Sequence, residues 1–543
     1  MLGESLYLFA LVWLYITGSP PGSESEPIVD LGYAKYRGNR TYENVVSYLG
    51  LPYAQPPVGD LRFRAPVPLD YGADGRASAK DEVIDATEYP DFCIQGTTGS
   101  GDAGGAGSED CLKVNVYTPK DAREGDKLPV LFYIHGGGYT YGNPAAFSLA
   151  HWVHQSPNVI IVSVYYRLGV FGFLAAPEFH DDKVLGDLNA GFLDQRLALI
   201  WVQNHISRFG GDPAKVTING ESAGGSSIEL HLIANDEQGL FRAAIAQSIY
   251  RTPLPTPDEQ RPLFYSFTMR VGCSHGNIAE QMACLRRADV SALARAQDAT
   301  SASIDIWYKW FHPVIDYALF VDYPTQLIRL GAAARIPLIV GSTSNETLAA
   351  GHTVEDALSE FFPSMTRWDL ADLLEHYHMD DFTSHDEYEL TVTGESSIRC
   401  ARTILAEAFS RNRRAWTYRY NQPNPSSGSD TVGHAAENWM MFQGVNTGPN
   451  GTFTSDDMDD TQKAFAQELI AYWLSFVRSG DPNAHKLDRS PDWLEYSTHE
   501  RSRLVLQESP IESSLSGSAV EEESEDETGR CAAIADLARS QQA

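Results

Sequence analysis

A serine set among glycines, Gly220-Glu221-Ser222-Ala223-Gly224-Gly225, is the stretch of this chain best equipped for covalent chemistry. A serine hydroxyl becomes a useful nucleophile only when a base takes its proton and a carboxylate orients that base. The negative charge that develops on an attacked carbonyl also needs preorganised N–H donors. Each part has a candidate. His135-Gly136-Gly137-Gly138-Tyr139 follows an apolar strand, and its side-chain-free residues let the amides of Gly137 and Gly138, with that of Ala223, converge on one point. A phosphate cradle is the competing reading of these glycines, but the lysine and the G-x-G-x-x-G spacing are missing. Glu346 lies just past an apolar run at 336–341, at the C-terminal end of a strand, where catalytic groups gather; Asp316 and Asp322 are alternative acids. His434 follows a glycine in the loop Val432-Gly433-His434-Ala435 and is selected from 15 histidines by chain order and loop context. Such a base loses its function as it is protonated, near pH 6.5 for an ordinary histidine, that is at about its free pKa. This chemistry requires neither a metal nor an organic cofactor.

These groups must be positioned by a scaffold. Val216 and Ile218 alternate with polar residues before the elbow, as in a strand, and Ile228, Leu230, Leu232 and Ile233 after it read as a helix. In a turn this tight, side chains at Gly220 and Gly224 would strike neighbouring backbone. Residues 113–117, 128–134 and 158–164 are strands, the last two near-continuous apolar runs that suit burial on both faces. Residues 189–209 carry apolar positions at helical spacing until Gly210-Gly211-Asp212-Pro213 stops them. Further strands are expected at 243–246, 336–341 and 415–420, the last near the sheet edge, and a helix at 461–477. Residues 50–63 are proline-dense and should lie as an extended surface strap. The order strand, helix, strand, elbow, helix is that of a parallel α/β sheet with right-handed crossovers. A length of 543 residues therefore accommodates one large α/β domain grown by insertions.

Charge and cysteines narrow the setting. Lys and Arg number 41 and Asp and Glu 72, a net charge of −31, which repels phosphate backbones and acidic lipid surfaces and argues against nucleic acid as a partner. Residues 6–16 form an apolar run too short for a membrane span of about 20 residues. Residues 1–22 instead fit a cleaved secretory signal, although the leading residues carry Glu4 and no Lys or Arg. Six cysteines agree with an oxidising compartment. Cys93 with Cys111 and Cys273 with Cys284 have spacings that suit local loops, which leaves Cys400 and Cys531 for a long-range bridge, one of several pairings that sequence allows. The like-charge run at 521–527 should repel itself and stay solvated, so residues 511–543 are expected to form an acidic tail, loosely held over 513–529, behind a domain at 27–510.

Taken together, 50–63, Glu109-Asp110-Cys111-Leu112, His135-Gly136-Gly137-Gly138, Tyr166-Arg167-Leu168-Gly169, Asp194-Gln195, Phe209-Gly210-Gly211-Asp212-Pro213, 220–225 and Pro313-Val314-Ile315-Asp316 resemble the type-B carboxylesterase/lipase family, the cholinesterase-like branch of the α/β-hydrolases, from about residue 27 to 505. The resemblance implies an α/β-hydrolase fold, a triad of Ser222, Glu346 and His434, both short disulfides, and a third like the long bridge of cholinesterases. Two departures bear on substrate. The Cys93–Cys111 loop lacks the tryptophan that stacks on quaternary ammonium groups in cholinesterases, which disfavours choline esters. It is also short, with Ile94 its one sizeable apolar residue, unlike the amphipathic lid of family lipases. The expectation is a secreted ester hydrolase with Tyr139, Tyr141, Trp307, Trp310, Phe311 and Trp439 as pocket candidates; a lipase or sterol-ester hydrolase is the alternative, and a non-catalytic binding protein, as in family members that lost the serine, a remote one. Three sequons stand out. Asn39 and Asn450 are expected to carry glycans, whereas Asn345 should stay bare because a glycan beside Glu346 would obstruct the site.

Overall fold

The apolar runs of the sequence become inner strands of a sheet covered on both faces. In this computed structural model the described residues are 26–543, apart from 70–81, 97–103, 182, 235–238, 303–307, 309 and 412–413; the expected signal segment lies outside them. The central sheet has 11 strands. In chain order they are β1 (Asn39–Tyr42), β2 (Val45–Pro52), β3 (Lys113–Pro119), β4 (Leu128–Ile134), β5 (Ile160–Val164), β6 (Gly211–Glu221), β7 (Ala243–Gln247), β8 (Leu338–Thr343), β9 (Ala415–Tyr420), β10 (Ser502–Leu506) and β11 (Ala519–Glu522). Their spatial order is β11-β10-β9-β8-β7-β6-β4-β5-β3-β2-β1. From β10 to β5 every neighbouring pair is parallel, and both flanks are antiparallel.

Because successive side chains of a strand point to opposite faces, Val130, Phe132 and Ile134 of β4 enter one core while Leu131 and Tyr133 enter the other. Helices α1 (Ala190–His205) and α2 (Ala223–Ile233) follow, then α3 (Cys400–Ser410), α4 (Ala436–Met441), α5 (Asp460–Ser479) and α6 (Glu525–Asp536). Helix α5 starts with a reciprocal capping box between Asp459 and Gln462 and ends at Gly480 in the left-handed region, at φ 74°, which satisfies terminal backbone groups at both ends. It brings Leu469, Trp473 and Phe476 into the second core. The large, mostly parallel sheet flanked by helices is the α/β-hydrolase architecture.

Several expectations change. Strand β9 is not near an edge, since β10 and β11 lie outside it. The strap at 50–63 is extended at its start but not superficial: Leu51, Tyr53 and Phe63 are buried, because their apolar side chains face the first core. The largest correction concerns the tail. Residues 519–522 form β11, paired antiparallel with β10 from Ser502↔Glu522 to Val505↔Ala519. The acidic run is ordered because arginines from elsewhere neutralise it: Arg402 pairs with Glu523 and Glu527, Arg503 with Glu521 and Glu527, and Arg419 with Glu521. The domain therefore does not end at 510. Three disulfides, Cys93–Cys111, Cys273–Cys284 and Cys400–Cys531, are present, and the last ties α3 to α6.

Candidate active site

Strand β6 delivers Ser222 to the sheet's C-terminal edge, and α2 begins at the next residue. Ser222 has φ 59° and ψ −123°, a left-handed conformation rarely taken by a residue with a side chain and typical of functional strain. The elbow closes because its glycines approach bare backbone. A Cβ on Gly220 would lie 2.5 Å from the Gly224 carbonyl carbon, and one on Gly224 would collide with the Ile134 carbonyl of β4. The Ser222 amide is anchored to the Gln247 carbonyl of β7 at 3.0 Å.

The loop after β8 and the loop before α4 complete the constellation. His434 Nε2 lies 2.7 Å from Ser222 Oγ, and His434 Nδ1 lies 2.5 Å from Glu346 Oε1. Glu346 is fully buried, and its Oε2 accepts the Thr343 N–H at 2.9 Å. The alternative acids are elsewhere: Asp316 Oδ1 accepts three amides of its own turn, those of Ala318, Leu319 and Phe320, and Asp322 pairs with Arg539.

Gly137 and Gly138 line the same cavity as Ser222 and His434. Both have positive φ, 106° and 59°, and a Cβ on Gly137 would run into the Tyr141 carbonyl. Among the described residues, the amides of Gly137, Gly138 and Ala223 donate to no backbone acceptor, so they remain available to an oxyanion. His135, ahead of them, stacks on Tyr166 and burial pushes its imidazole down to about 4; it stays neutral and structural.

Two carboxylates near His434 escaped sequence reasoning. Glu221 Oε1 is 3.6 Å from His434 Nε2, and its Oε2 accepts from Asn438 Nδ2 at 2.9 Å. Glu437 Oε1 accepts from Gln247 Nε2 at 2.6 Å and from the Tyr418 hydroxyl at 2.9 Å. Their signals were in plain view, one beside the serine and one three residues after the histidine on the first turn of α4. Burial raises Glu221 and pushes Glu437 up to about 8, so Glu437 holds a proton near neutrality. For His434 burial acts against the charged form, but the hydrogen bond to Glu346 and the charges of Glu221 and Glu346 outweigh it. Its pKa therefore lies above the ordinary histidine value, not at it.

The cavity over Ser222 has a volume of about 540 Å³, enough for a small organic ligand. Of the pocket candidates, Tyr141 and Trp310 line it, together with Tyr250, Tyr308, His312 and Phe361. Three do not. Tyr139 is fully buried, with its ring edge on Phe173; Phe311 packs on Phe267 and faces a smaller neighbouring cavity of 170 Å³; Trp439 belongs to the core on the other side of the sheet. Trp307 lies outside the described residues. His312 was missed; burial pushes it down to about 4, so it offers the cavity a neutral imidazole. No described residue of the Cys93–Cys111 loop lines the cavity. A group of His385, Asp386 and Glu389 could hold a metal, but it is exposed on the surface and lines no part of this cavity.

Comparison with known proteins agrees with this geometry. Residues 25–522 match the family model described as the carboxylesterase family. Carboxylesterase 1E of Mus musculus is 29% identical over 91% of this chain and 93% of its own length. Acetylcholinesterase of Bungarus fasciatus is 29% identical over 86% of this chain and 80% of its own. The crystal structure of Aspergillus niger EstA superposes with a TM-score of 0.81 at 29% identity, covering 96% of this chain and 99% of that one. With the match spanning the sheet, the elbow and the loops of Glu346 and His434, the chain belongs to the carboxylesterase family and is a carboxylic ester hydrolase.

Proposed function

We propose that this chain is a secreted serine esterase acting on small-molecule or lipid-like esters through an acyl-enzyme. The observation that carries this reading is the continuous contact from Ser222 Oγ through His434 to Glu346 at 2.7 and 2.5 Å, opening on the cavity. His434 Nε2 takes the Ser222 proton as Oγ attacks the ester carbonyl, and the amides of Gly137, Gly138 and Ala223 hold the oxyanion. The tetrahedral adduct collapses as His434 returns the proton to the departing alcohol. Water then attacks the acyl-serine by the same route, and Glu346 keeps Nδ1 oriented throughout. The Cys93–Cys111 loop carries no tryptophan to stack on a quaternary ammonium group, which favours uncharged esters over choline esters, and its shortness favours esters of modest size over a lid-gated lipase substrate. Secretion is supported by the three disulfides, which persist in oxidising compartments. Among the described residues no helix is long and apolar enough to cross a membrane. Asn39 and Asn450 are both exposed, as glycan acceptors must be.

The test is labelling of purified protein with a fluorophosphonate probe, with the adduct mapped by mass spectrometry. A stoichiometric adduct on Ser222, lost in His434→Ala, is expected. Folded wild-type protein that takes no label would overturn the reading and favour a non-catalytic binding protein.

A further inference from the structure

Ser344, two residues before Glu346, has all three of its polar groups held. Its N–H donates to the Tyr420 carbonyl at 3.0 Å. Its Oγ is met by Arg419 Nη1 at 2.7 Å, and its carbonyl accepts Arg399 Nη1 at 3.0 Å. Each arginine is in turn gripped by a carboxylate that leads to the C-terminal segment. Arg419 makes a bidentate pair with Glu521 of β11, at 2.7 and 2.8 Å. Arg399 Nη2 reaches Glu395 Oε1 at 3.3 Å, and Glu395, 1% exposed, is held bidentately by Arg530 of α6 at 2.8 and 2.7 Å. Arg530 neighbours Cys531, whose bridge to Cys400 fixes α6. The chain just before Glu395 presses on Glu346 directly: Gly394 sits against the Glu346 carbonyl so closely that a Cβ there would collide with it.

Resting on the triad reading above, we propose that the C-terminal segment 519–531 is a positioning element of the ester-hydrolase site. Through Arg419 and Arg399 it fixes Ser344 and thereby sets the Glu346 carboxylate against His434. Charge-assisted bidentate pairs are short and directional, which makes them suited to holding a loop to a fraction of an ångström. That precision matters, since a misplacement of about 1 Å far from the chemistry can cost on the order of a hundredfold in rate. A tail serving stability alone has no need to converge twice on one loop residue. Another tether of α6, from Arg329 to the Ala535 carbonyl and to Asp536, does not reach that loop and so supplies a control.

The experiment compares Arg399→Gln, Arg399→Lys and Arg329→Gln with wild type, in full-length protein quantified by active-site titration. The readouts are kcat, KM on a butanoyl ester, the second-order rate of fluorophosphonate labelling, the acid limb of kcat/KM and the thermal midpoint. The groups facing His434 are Glu346 from the loop after β8, Glu221 from the elbow and Glu437 from α4; only the first is coupled to the segment. Arg399→Gln is expected to lower kcat and labelling rate about tenfold with KM unchanged, and to move the acid limb to lower pH as the hydrogen bond that His434 donates to Glu346 loosens. Arg399→Lys, which can still reach the Ser344 carbonyl, should recover most of the rate, and Arg329→Gln should lower the midpoint alone. If Arg399→Gln does not fold, Glu521→Gln probes the same loop through Arg419. Full titrated kcat and an unmoved acid limb, with only a lower midpoint, would reduce the segment to a structural strap. Failure of the triad reading itself would show separately, as wild-type protein unlabelled at Ser222.

Discussion

Asn345 and Val432 exchange two hydrogen bonds that lock the acid loop to the histidine loop: Asn345 N–H donates to the Val432 carbonyl at 3.0 Å, and Asn345 Oδ1 accepts the Val432 N–H at 3.2 Å. Thr343 Oγ1 adds a third bond to the same carbonyl at 2.8 Å. Glu346 stands one residue after Asn345, and His434, past Gly433, two residues after Val432. The Asn345 backbone N–H and side-chain Oδ1 are thus committed to the geometry of the pair.

Glycan occupancy should follow. In protein from a secretory host, peptide mapping is expected to find glycan at the exposed Asn39 and Asn450 and none at Asn345. Substantial occupancy of Asn345 would contradict both the bonded side chain and the role given to Glu346.

On the proposed mechanism Ser222 is the nucleophile, so Ser222→Ala should lower kcat by a factor on the order of 10⁶ while the protein stays folded. The substitution removes one oxygen from a turn whose backbone is fixed by Gly220, Gly224 and the Gln247 carbonyl, so an unchanged thermal midpoint is the expected control. Turnover near the wild-type value in that variant would sink the assignment.

Arg167 and Asp194 are a buried pair, with Nε and Nη2 on the two carboxylate oxygens at 2.8 and 2.6 Å. Removing one partner leaves the other charge in a medium that cannot solvate it. Asp194→Ala should therefore cost about 3–5 kcal/mol in denaturant unfolding, more than any single exposed ion pair here. A loss below about 1 kcal/mol, the range of surface pairs, would mean that water reaches the site in solution.

What was legible in the sequence is what chain proximity and backbone chemistry control. The elbow could be read because only glycine fits at Gly220 and Gly224, and β4, β5 and β8 because apolar runs of strand length have few other uses. His434 and Glu346 were recoverable since chain order restricts them. What escaped depends on contacts between distant residues. Glu437 is separated by 190 positions from its partner Gln247, and no local pattern announces that a helix turn will bury a carboxylate. The run at 521–527 looked self-repelling because Arg402, Arg419 and Arg503 lie far away in the chain. Tyr139 and Tyr141 were indistinguishable by type, yet Tyr139, at φ 59°, turns into the core while Tyr141 faces the cavity.

The cavity walls should set acyl-chain preference. Trp310 and Phe361 are bulky apolar walls on the space above Ser222, and replacing either by alanine lengthens that space. One methylene in an apolar pocket is worth about tenfold or more in kcat/KM. Trp310→Ala is thus expected to raise the octanoyl-to-butanoyl ratio of kcat/KM by about tenfold, with Tyr139→Phe, in the core, leaving it unchanged. Equal ratios in wild type and Trp310→Ala would place the acyl chain elsewhere.

The pH profile follows from the carboxylates around the base. His434 must be neutral to accept the Ser222 proton, so activity falls on acidification as the imidazole becomes charged. Its pKa is raised, because the hydrogen bond to Glu346 and the charge of Glu221 outweigh burial; a raised pKa means that the charged form persists to higher pH. The acid limb of kcat/KM should accordingly lie above the ordinary histidine value of about 6.5. Glu221→Gln keeps the Asn438 contact but removes a charge 3.6 Å from Nε2, so it should move the limb down by about one pH unit. The ground-state imidazolium loses the same support as the transition-state one, so part of the expected gain at low pH is offset by a smaller kcat on the plateau. A limb that stays in place in Glu221→Gln, measured on active-site-titrated enzyme, would show that this carboxyl is already protonated in the working range and that Glu346 alone sets the base.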